Sequence, residues 1–373
     1  MQSLTRNGNL VSSVRLETFL DCTEDEDDAD ALCDALCRFV RKRSSQLVEF
    51  KLVQHLRRRR WTIERARRLA DAFECCDALE TVALDDLLLA PRSVAALLAM
   101  LCERAPNVTA LSVSGNECNR EATPVLVQAV RSLPLESLHC ARCNFSIASL
   151  EDVVMAVSGC LTLRTVSFAN VFDASRDRRA LLLRHELLET ATHLRSVSLS
   201  NLHLDSHFFS EIARGVQKSK LTAFRLIDRP LQQITAADTD IWLELVDMIR
   251  QCTSLRSLEL SAHLPVVAVE EFAAALDDNT RLTQLIVTDH GDAASQRIRR
   301  LTDRNSKLLP HVLSAELVSF GLLMAPLDLP TLVLVNIFEW TDVAYASAPL
   351  HRKWSVLQST KRVWQNKFQN LKK

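Results

Sequence analysis

Glycine and tyrosine are scarce in this chain of 373 residues, which contains six glycines and one tyrosine. Few tight catalytic turns can be built with so little glycine, and no phosphate-binding glycine motif, H-E-x-x-H or G-x-S-x-G occurs. We therefore expect neither an enzyme nor a bound cofactor. A glycine-poor composition rich in alanine, leucine and serine favours helices stacked in series over a turn-rich β domain.

An excess of charge is also missing, because 45 basic and 46 acidic residues give a formal net charge of −1. This balance argues against a general nucleic-acid surface. The most apolar stretch, 315–338, contains Glu316, Asp328 and two prolines, so no membrane span is expected. The first residues lack a charged segment followed by an apolar one, and we expect no signal peptide.

The eleven cysteines are odd in number and fall mostly inside apolar patterns, as do Cys33, Cys37, Cys102, Cys140 and Cys252. This placement favours reduced thiols that pack as small core residues, and hence a cytoplasmic protein. The pair Cys140-x-x-Cys143 is weak evidence for a metal site. Because Cys140 should point into the core, we expect no metal to bind there.

A short pattern of apolar residues recurs along the chain and predicts repeated strands. In its clearest copy, Val108, Leu111 and Val113 alternate with polar or small residues, and Asn116 follows. Alternate side chains of a strand point to one face, so the apolar residues should face a core. The Asn side chain should bond the backbone where the chain leaves the strand. Asn144, Asn170 and Asn201 lie near the equivalent corner.

The pattern starts at ten positions spaced 27 to 36 residues apart: Val11, Leu47, Leu79, Val108, Leu135, Leu163, Leu194, Leu221, Leu255 and Leu282. A regular period in this range is typical of solenoid proteins. Apolar residues at helical spacing follow the strands and predict helices over 93–101, 150–157, 207–217, 241–249 and 269–276. The expected N-terminal capping residues are Ser93, Ser149 and the pair Asp205-Ser206.

This spacing resembles the leucine-rich-repeat consensus L-x-x-L-x-L-x-x-N, and the long units with a helix in each are similar to the ribonuclease-inhibitor-like class. The resemblance covers roughly residues 10–290. It implies an α/β solenoid bent into a horseshoe, with a concave parallel β-sheet, convex helices and a helical C-terminal cap. It also implies protein ligands, so we expect an intracellular, non-catalytic protein-interaction scaffold.

Two runs of like charge interrupt the repeats. Acidic residues cluster between 24 and 30, and four arginines occupy 57–60. Counted from their strand starts, the two runs fall on the same rim of adjacent repeats. We expect them to neutralise each other rather than to recruit outside partners.

The period ends near residue 300. We expect 1–300 to form the solenoid of about ten repeats and 301–373 to form a helical C-terminal cap or tail module. An alternative comes from 329–340, which begins Leu329-Pro330 and is similar to the opening of an F-box. That similarity implies a substrate receptor of a ubiquitin ligase, with a ubiquitin-ligase adaptor as a partner.

Strand residues that flank the inward positions should line the concave face, where a protein ligand would dock. No aromatic residue occurs among them, and the middle strands carry mostly serine and alanine. His139 is the one outward histidine, and we expect a surface side chain rather than a catalytic base. The candidate partner-binding residues are Arg15, Glu17, Glu49, Lys51, Asp85, His139, Arg225 and Glu259.

Overall fold

A computed structural model describes residues 14–20, 26–54, 61–119, 121–170, 188, 191–201, 206–227, 239–260, 266–287 and 296–309. Several sequence predictions lie outside the described residues. These are the strand start at Val11, the arginines at 57–60, the predicted C-terminal cap beyond residue 309 and the F-box-like segment 329–340.

Strands and helices alternate along the described chain. In order they are β1 Val14–Leu20, α1 Glu26–Lys42, β2 Leu47–Gln54, α2 Ile63–Ala72, β3 Thr81–Asp85, α3 Pro91–Arg104, β4 Ala110–Ser112, α4 Thr123–Ser132, β5 Ser137–Ala141, α5 Ile147–Gly159, β6 Thr165–Ala169, β7 Ser196–Ser200, α6 Ser206–Lys218, β8 Ala223–Ile227, α7 Thr239–Gln251, β9 Ser257–Leu260, α8 Val266–Asp278, β10 Gln284–Val287 and α9 296–309. Two short 3-10 helices, Ser44–Gln46 and Phe73–Cys75, precede β2 and follow α2. Among the described helices none is long and apolar enough to cross a membrane.

The chain divides into two compact units. The first comprises Met1–Leu221 with Arg225–Ile234, and the second comprises Thr222–Phe224 with Thr235–Lys373. Strand β8 is shared between them. The predicted boundary between residues 300 and 301 falls inside α9.

The strands of the first unit pair in parallel and in chain order from β1 to β7. The residue two places after each predicted start lies beside its counterpart in the next strand, in the series Glu49, Thr81, Ala110, Ser137, Thr165 and Ser196. In the second unit β9 and β10 are also parallel, and Ser257 lies beside Gln284. The predicted register is therefore confirmed for these strands.

The first repeat departs from the predicted register. The start at Val11 would place Arg15 beside Lys51, but Arg15 lies beside Glu49 and Glu17 beside Lys51. An irregularity between Val14 and Arg15 accompanies this shift. The prediction was wrong by two residues, and because strand side chains alternate with a period of two, the faces are unchanged.

The core lies between the strands and the helices. The first apolar residue of each pattern is buried from Leu47 to Leu282, and the inward strand residues include Phe50, Phe168 and Phe224. Helix α3 buries Val94, Leu97, Leu98 and Leu101, which share one face. Parallel strands that alternate with helices packed on one side confirm the predicted leucine-rich-repeat fold class.

Two predicted helix caps are wrong by about one turn. Helix α3 begins after Ala90 with Pro91 at its first position, and Ser93 lies buried inside it. Helix α5 is capped by Ser146, whose Oγ accepts the backbone N–H of Ser149 at 3.1 Å. Serine was the right residue type for this cap, but the apolar pattern that begins at Leu150 starts one turn after the first residue of the helix.

The chain turns at the same position after five successive strands. The residue seven places after each pattern start has a positive φ: Asp86 (58°), Gly115 (72°), Arg142 (53°), Asn170 (48°) and Asn201 (49°). Each of these backbone N–H groups donates to a carbonyl of the following repeat, at 2.6–2.8 Å. The corner therefore extends the hydrogen-bonded ladder beyond the strands.

Asn116 performs the role predicted for it. Its side chain is buried, and Nδ2 donates to the carbonyls of Leu84 (2.6 Å) and Val113 (3.0 Å), while Oδ1 accepts the N–H of Leu89 at 3.1 Å. Asn144 does not occupy an equivalent position, because its side chain is exposed and its φ is 51°. Asn170 and Asn201 occupy the left-handed corner itself. The prediction that Asn144, Asn170 and Asn201 bond the backbone as Asn116 does was therefore wrong, because none of them occupies the position of Asn116.

Candidate functional site

The side of the sheet that faces away from the helices is called the sheet face below. Buried and partly exposed residues alternate along β5, β6 and β7, and the partly exposed ones lie on this face. From β3 to β7 its members are Thr81, Ala83, Asp85, Ala110, Ser112, Ser114, Ser137, His139, Ala141, Thr165, Ser167, Ala169, Ser196, Ser198 and Ser200. All except Ala83 are partly or fully exposed, so no described element covers the face.

The two charged candidates on β2 lie close to each other. The Lys51 ammonium is 2.6 Å from the Glu49 carboxylate on the same strand. The backbone register places Arg15 beside Glu49 and Glu17 beside Lys51, so each basic residue has an acidic residue at the neighbouring position of the other strand. Exposed pairs of this kind contribute little net energy, and the charges of Glu49 and Lys51 compensate each other.

Asp85 stands at the C-terminal end of β3, on the sheet face. Its Oδ1 accepts the Ser112 hydroxyl at 2.6 Å and the Ser114 backbone N–H at 3.1 Å. Burial raises the pKa of the Asp85 carboxyl, and these two hydrogen bonds oppose the rise. The next residue, Asp86, adds a like charge that raises it further.

His139 lies on β5, with its ring exposed as predicted. Its Nε2 is 2.9 Å from the Ser137 hydroxyl, two residues earlier on the same strand. Burial of part of the ring lowers the pKa of His139, and the charge of Asp85 partly opposes this. The serine neighbour was not expected, although residues two apart on a strand always share a face.

The remaining candidates lie on later strands. Arg225 is exposed on β8, and Glu259 is half-buried on β9. Both take part in interactions with other residues.

An ion pair bridges one repeat at the C-terminal edge of the strands. The Arg142 guanidinium donates to both carboxylate oxygens of Asp86, each at 2.7 Å, although the two residues belong to β5 and β3 corners. Gly115 lies at the corner between them. A Cβ there would be 2.2 Å from Asp86 Oδ1 and 2.7 Å from its Cα.

Three buried cysteines meet beneath this edge. Cys118, Cys140 and Cys143 are free thiols with no exposed surface, and the Cys118 N–H donates to the Cys143 carbonyl at 2.8 Å. Hydrogen bonds to Cys143, together with burial, raise the pKa of the other two thiols. Cys140 faces the core as predicted, and no group of three or more ligating side chains within the described ranges could hold a metal ion.

Three arrangements escaped the sequence analysis: the Asp85 hydrogen bonds, the Asp86–Arg142 bridge and the meeting of Cys140 with Cys118. Each joins residues 22 to 56 positions apart in different repeats, and two of the contacts, Asp85–Ser114 and Asp86–Arg142, join residues at equal offsets from their pattern starts. A repeat-by-repeat alignment carries this signal, because equal offsets bring residues into register. Single motifs do not carry it.

No known protein family matches the sequence, and no curated protein matches it. Similar solved structures include the leucine-rich repeat-containing protein LegL7 from Legionella pneumophila, which is 14% identical; the match covers 69% of this chain and 82% of that chain with a TM-score of 0.41. An internalin from Listeria monocytogenes is 12% identical, with 70% and 79% covered and a TM-score of 0.30. These scores are low, and the fold assignment rests on the register and burial pattern of this chain.

Proposed function

We propose that the chain is a non-catalytic protein-interaction scaffold that binds a protein ligand through the sheet face. The observation that carries this proposal is the open face of a parallel sheet. Parallel sheets usually have both faces covered, because their crossover helices pack on either side. Here the described helices pack on one side, and the other side presents mostly serine, alanine and threonine side chains to solvent.

The composition of the face favours a macromolecular ligand over a small molecule. Small-molecule sites are concave and lined by apolar or aromatic side chains with a few converging polar groups. The fifteen positions from β3 to β7 contain no aromatic residue and spread small hydroxyl groups evenly over the surface. A partner would supply the protruding anchors, and the charged residues Glu49, Lys51, Asp85 and Arg225, with Arg15 and Glu17, would orient it on the first unit. Glu259, in the second unit, stays a separate candidate.

A catalytic role is disfavoured by the surroundings of His139. A general base needs a substrate proton within reach and is usually oriented by a third group. The Ser137 hydroxyl is at hydrogen-bond distance from His139 Nε2, but both residues lie on the same strand and are separated only by Leu138. Within the described residues, Asp85 uses its Oδ1 for Ser112 and Ser114 rather than for the imidazole.

The ribonuclease-inhibitor-like class is supported by the length of the units. Full α-helices such as α3, α4 and α5 fill the return segment between strands that start 27 to 29 residues apart. We place the protein inside the cell, because nine cysteines of the described chain are free thiols and eight of these nine are buried.

Affinity purification with matched variants tests the proposed surface. Ser167→Arg adds a long cation to the centre of the sheet face, and Gln128→Arg adds the same side chain to the exposed surface of α4. Protein partners that bind the sheet face should be lost with Ser167→Arg and retained with Gln128→Arg. Loss of the same partners in both variants, or in neither, would contradict a docking surface on the sheet.

The same experiment separates the ubiquitin-ligase alternative. An F-box-like segment at 329–340 would recruit a ligase adaptor through residues distant in sequence from Ser167. An adaptor that is retained in Ser167→Arg and lost when Leu329 and Pro330 are replaced by alanine would support a substrate receptor. In that case the sheet face would be the substrate-binding part.

A further inference from the structure

Asp85 is the single carboxylate among the fifteen sheet-face positions from β3 to β7, and no lysine or arginine accompanies it there. Within the described residues, Asp85 forms hydrogen bonds only through Oδ1, to Ser112 and Ser114. Among the described residues no lysine or arginine forms an ion pair with Asp85, in contrast to the neighbouring Asp86, which is held by Arg142 at 2.7 Å. Its negative charge is therefore presented to the open face.

The position of Asp85 makes a cation favourable. Its carboxylate is half-buried, and burial together with the charge of Asp86 disfavours its ionised form. A positive group brought to the free Oδ2 would offset both effects, and the interaction would be stronger than between two fully solvated charges because water is partly excluded. Glu49, the next carboxylate along the face, already has the Lys51 ammonium at 2.6 Å.

The floor beside Asp85 suits a long, flexible side chain. Val53 lies next to it on β2, and Ala83 precedes it by two residues on the same face. Ser112 lies beside Ala83 on β4 and is also small. The methylene stem of a lysine or arginine can lie on such apolar and small residues while its charged end reaches the carboxylate.

We propose that Asp85 is the anchoring point for a lysine or arginine side chain of a protein partner that docks on the sheet face. This inference rests on the proposed function and adds the chemistry of the partner. The partner segment carries a basic residue with small neighbours, because the small residues Ala83, Ser112 and Ser114 lie beside the carboxylate. Charge complementarity fixes the register of the segment, and the serine floor accepts its backbone and short side chains.

A random peptide library displayed on phage tests this proposal, because the selection itself reveals which peptide sequences bind the face. Selection is run on the wild-type protein, on Asp85→Asn and on Ser167→Arg, which obstructs the face at β6. Wild-type selections should enrich peptides with a lysine or arginine at one fixed position. A representative peptide, synthesised and titrated, should bind Asp85→Asn at least about tenfold more weakly. Asp85→Glu should retain most of the affinity.

The matched control is Asp152→Asn, which removes an exposed carboxylate from the surface of α5 and should change the affinity less than about twofold. Replacing the enriched basic residue of the peptide by glutamine should weaken binding to the wild type and change little in Asp85→Asn. Peptides that are blocked by Ser167→Arg but lack a fixed basic residue would overturn the role of Asp85 and leave the sheet face intact. Selections that yield no peptide sensitive to Ser167→Arg would overturn the proposed function itself.

Discussion

At the scale of single residues, the corner after each strand shows how strongly local geometry selects the side chain. Asparagine and glycine adopt a positive φ at low cost, which explains Asn170, Asn201 and Gly115. Arg142 is an unusual occupant, since a long side chain costs about 1–2 kcal/mol in this region. Its ion pair with Asp86 offsets part of that cost, and the intervening glycine makes the approach possible.

We expect Gly115→Ala to destabilise the protein by more than about 2 kcal/mol. Its φ of 72° strains any other residue, and the new Cβ would overlap Asp86 Oδ1 and Cα. Chemical denaturation measures the change. Gly159→Ala is the control: nothing lies within 4 Å of the added Cβ at the end of α5. It should be neutral or stabilise by up to about 1 kcal/mol. Equal effects at the two glycines would refute the close approach at Gly115.

Asn116→Asp should cost about 3 kcal/mol or more, because a buried amide that donates to three carbonyls becomes an acceptor. Asn144→Asp changes the same atoms at an exposed left-handed corner, where aspartate is tolerated. Its cost should stay below about 1 kcal/mol. Thermal unfolding of both variants gives the comparison. A mild effect at Asn116 would show that its hydrogen bonds are not a main support of the corner.

The pH dependence of stability should report on Asp85. Its pKa in the folded state is raised above the ordinary value of 3.8, so the ionised carboxylate lowers stability at neutral pH. Asp85→Asn keeps an acceptor for Ser112 and Ser114 and should therefore have a higher Tm than the wild type at pH 7. The difference should shrink as the pH falls through the raised pKa towards 3.8. A lower Tm for the variant at pH 7, or a difference that does not depend on pH, would contradict this account.

At the scale of elements, helices α1 and α2 are joined by ion pairs between adjacent repeats. The Arg65 side chain is 6% exposed and its Nε is 2.9 Å from Asp30, while Arg68 pairs with both Asp30 and Asp34. Arg65 holds the pKa of Asp30 below its usual value. Asp30 belongs to the acidic run 24–30, and the arginines at 57–60 lie outside the described residues, so the neutralisation expected between these two runs stays a prediction.

A double-mutant cycle with Asp30→Asn and Arg65→Gln should give a coupling free energy clearly larger than the same cycle with Glu121→Gln and Arg92→Gln. The Arg92–Glu121 side chains are 81% and 54% exposed, and exposed pairs couple by about 0.2–1 kcal/mol. High salt should reduce the exposed coupling more than the buried one. Equal couplings would mean that the burial of Arg65 does not strengthen its ion pair.

The sequence was sufficient to predict the strands but not the first turns of the helices. An apolar residue such as Leu79 or Leu135 begins each pattern, and every strand from β2 onward follows it within three residues. Helix starts were harder to predict, because α3 has Ala90 as its N-cap and Pro91 as its first residue, rather than the predicted cap Ser93. The preference of a residue for the N-cap position competes with the packing of the whole helix on its strand, and the packing determines where the helix begins.

At the scale of the whole molecule, the residues of the candidate face could be predicted and their pairings could not. Alternation along each strand identified Asp85, Ser112 and His139 as outward residues. Their contacts depend on register between strands 27 residues apart, which the pattern alone fixes only if every start is right. The error of two residues at Val11 shows the consequence, since it placed Arg15 beside a lysine rather than beside Glu49.

The open face also explains why the sequence suggests a protein-interaction role but no particular ligand. Small residues such as Ser167 and Ser198 support the curvature or packing of a repeat sheet as readily as they support docking. The side chains that would anchor a partner belong to the partner's sequence. On this chain a charge such as that of Asp85 is what indicates the chemistry of the partner, a basic side chain.

Photo-cross-linking tests the central claim, docking on the sheet face, most directly. Benzoylphenylalanine is placed at Ser112, Ser167 or Ser198 on the sheet face and at Gln128, Arg131 or Met155 on the exposed surface of α4 and α5. A protein partner recovered by affinity purification is added, and the cross-link yields are compared. Our account predicts cross-links from the sheet-face positions and little yield from the helix positions. High yields from α4 and α5, with none from the three serine positions, would contradict it.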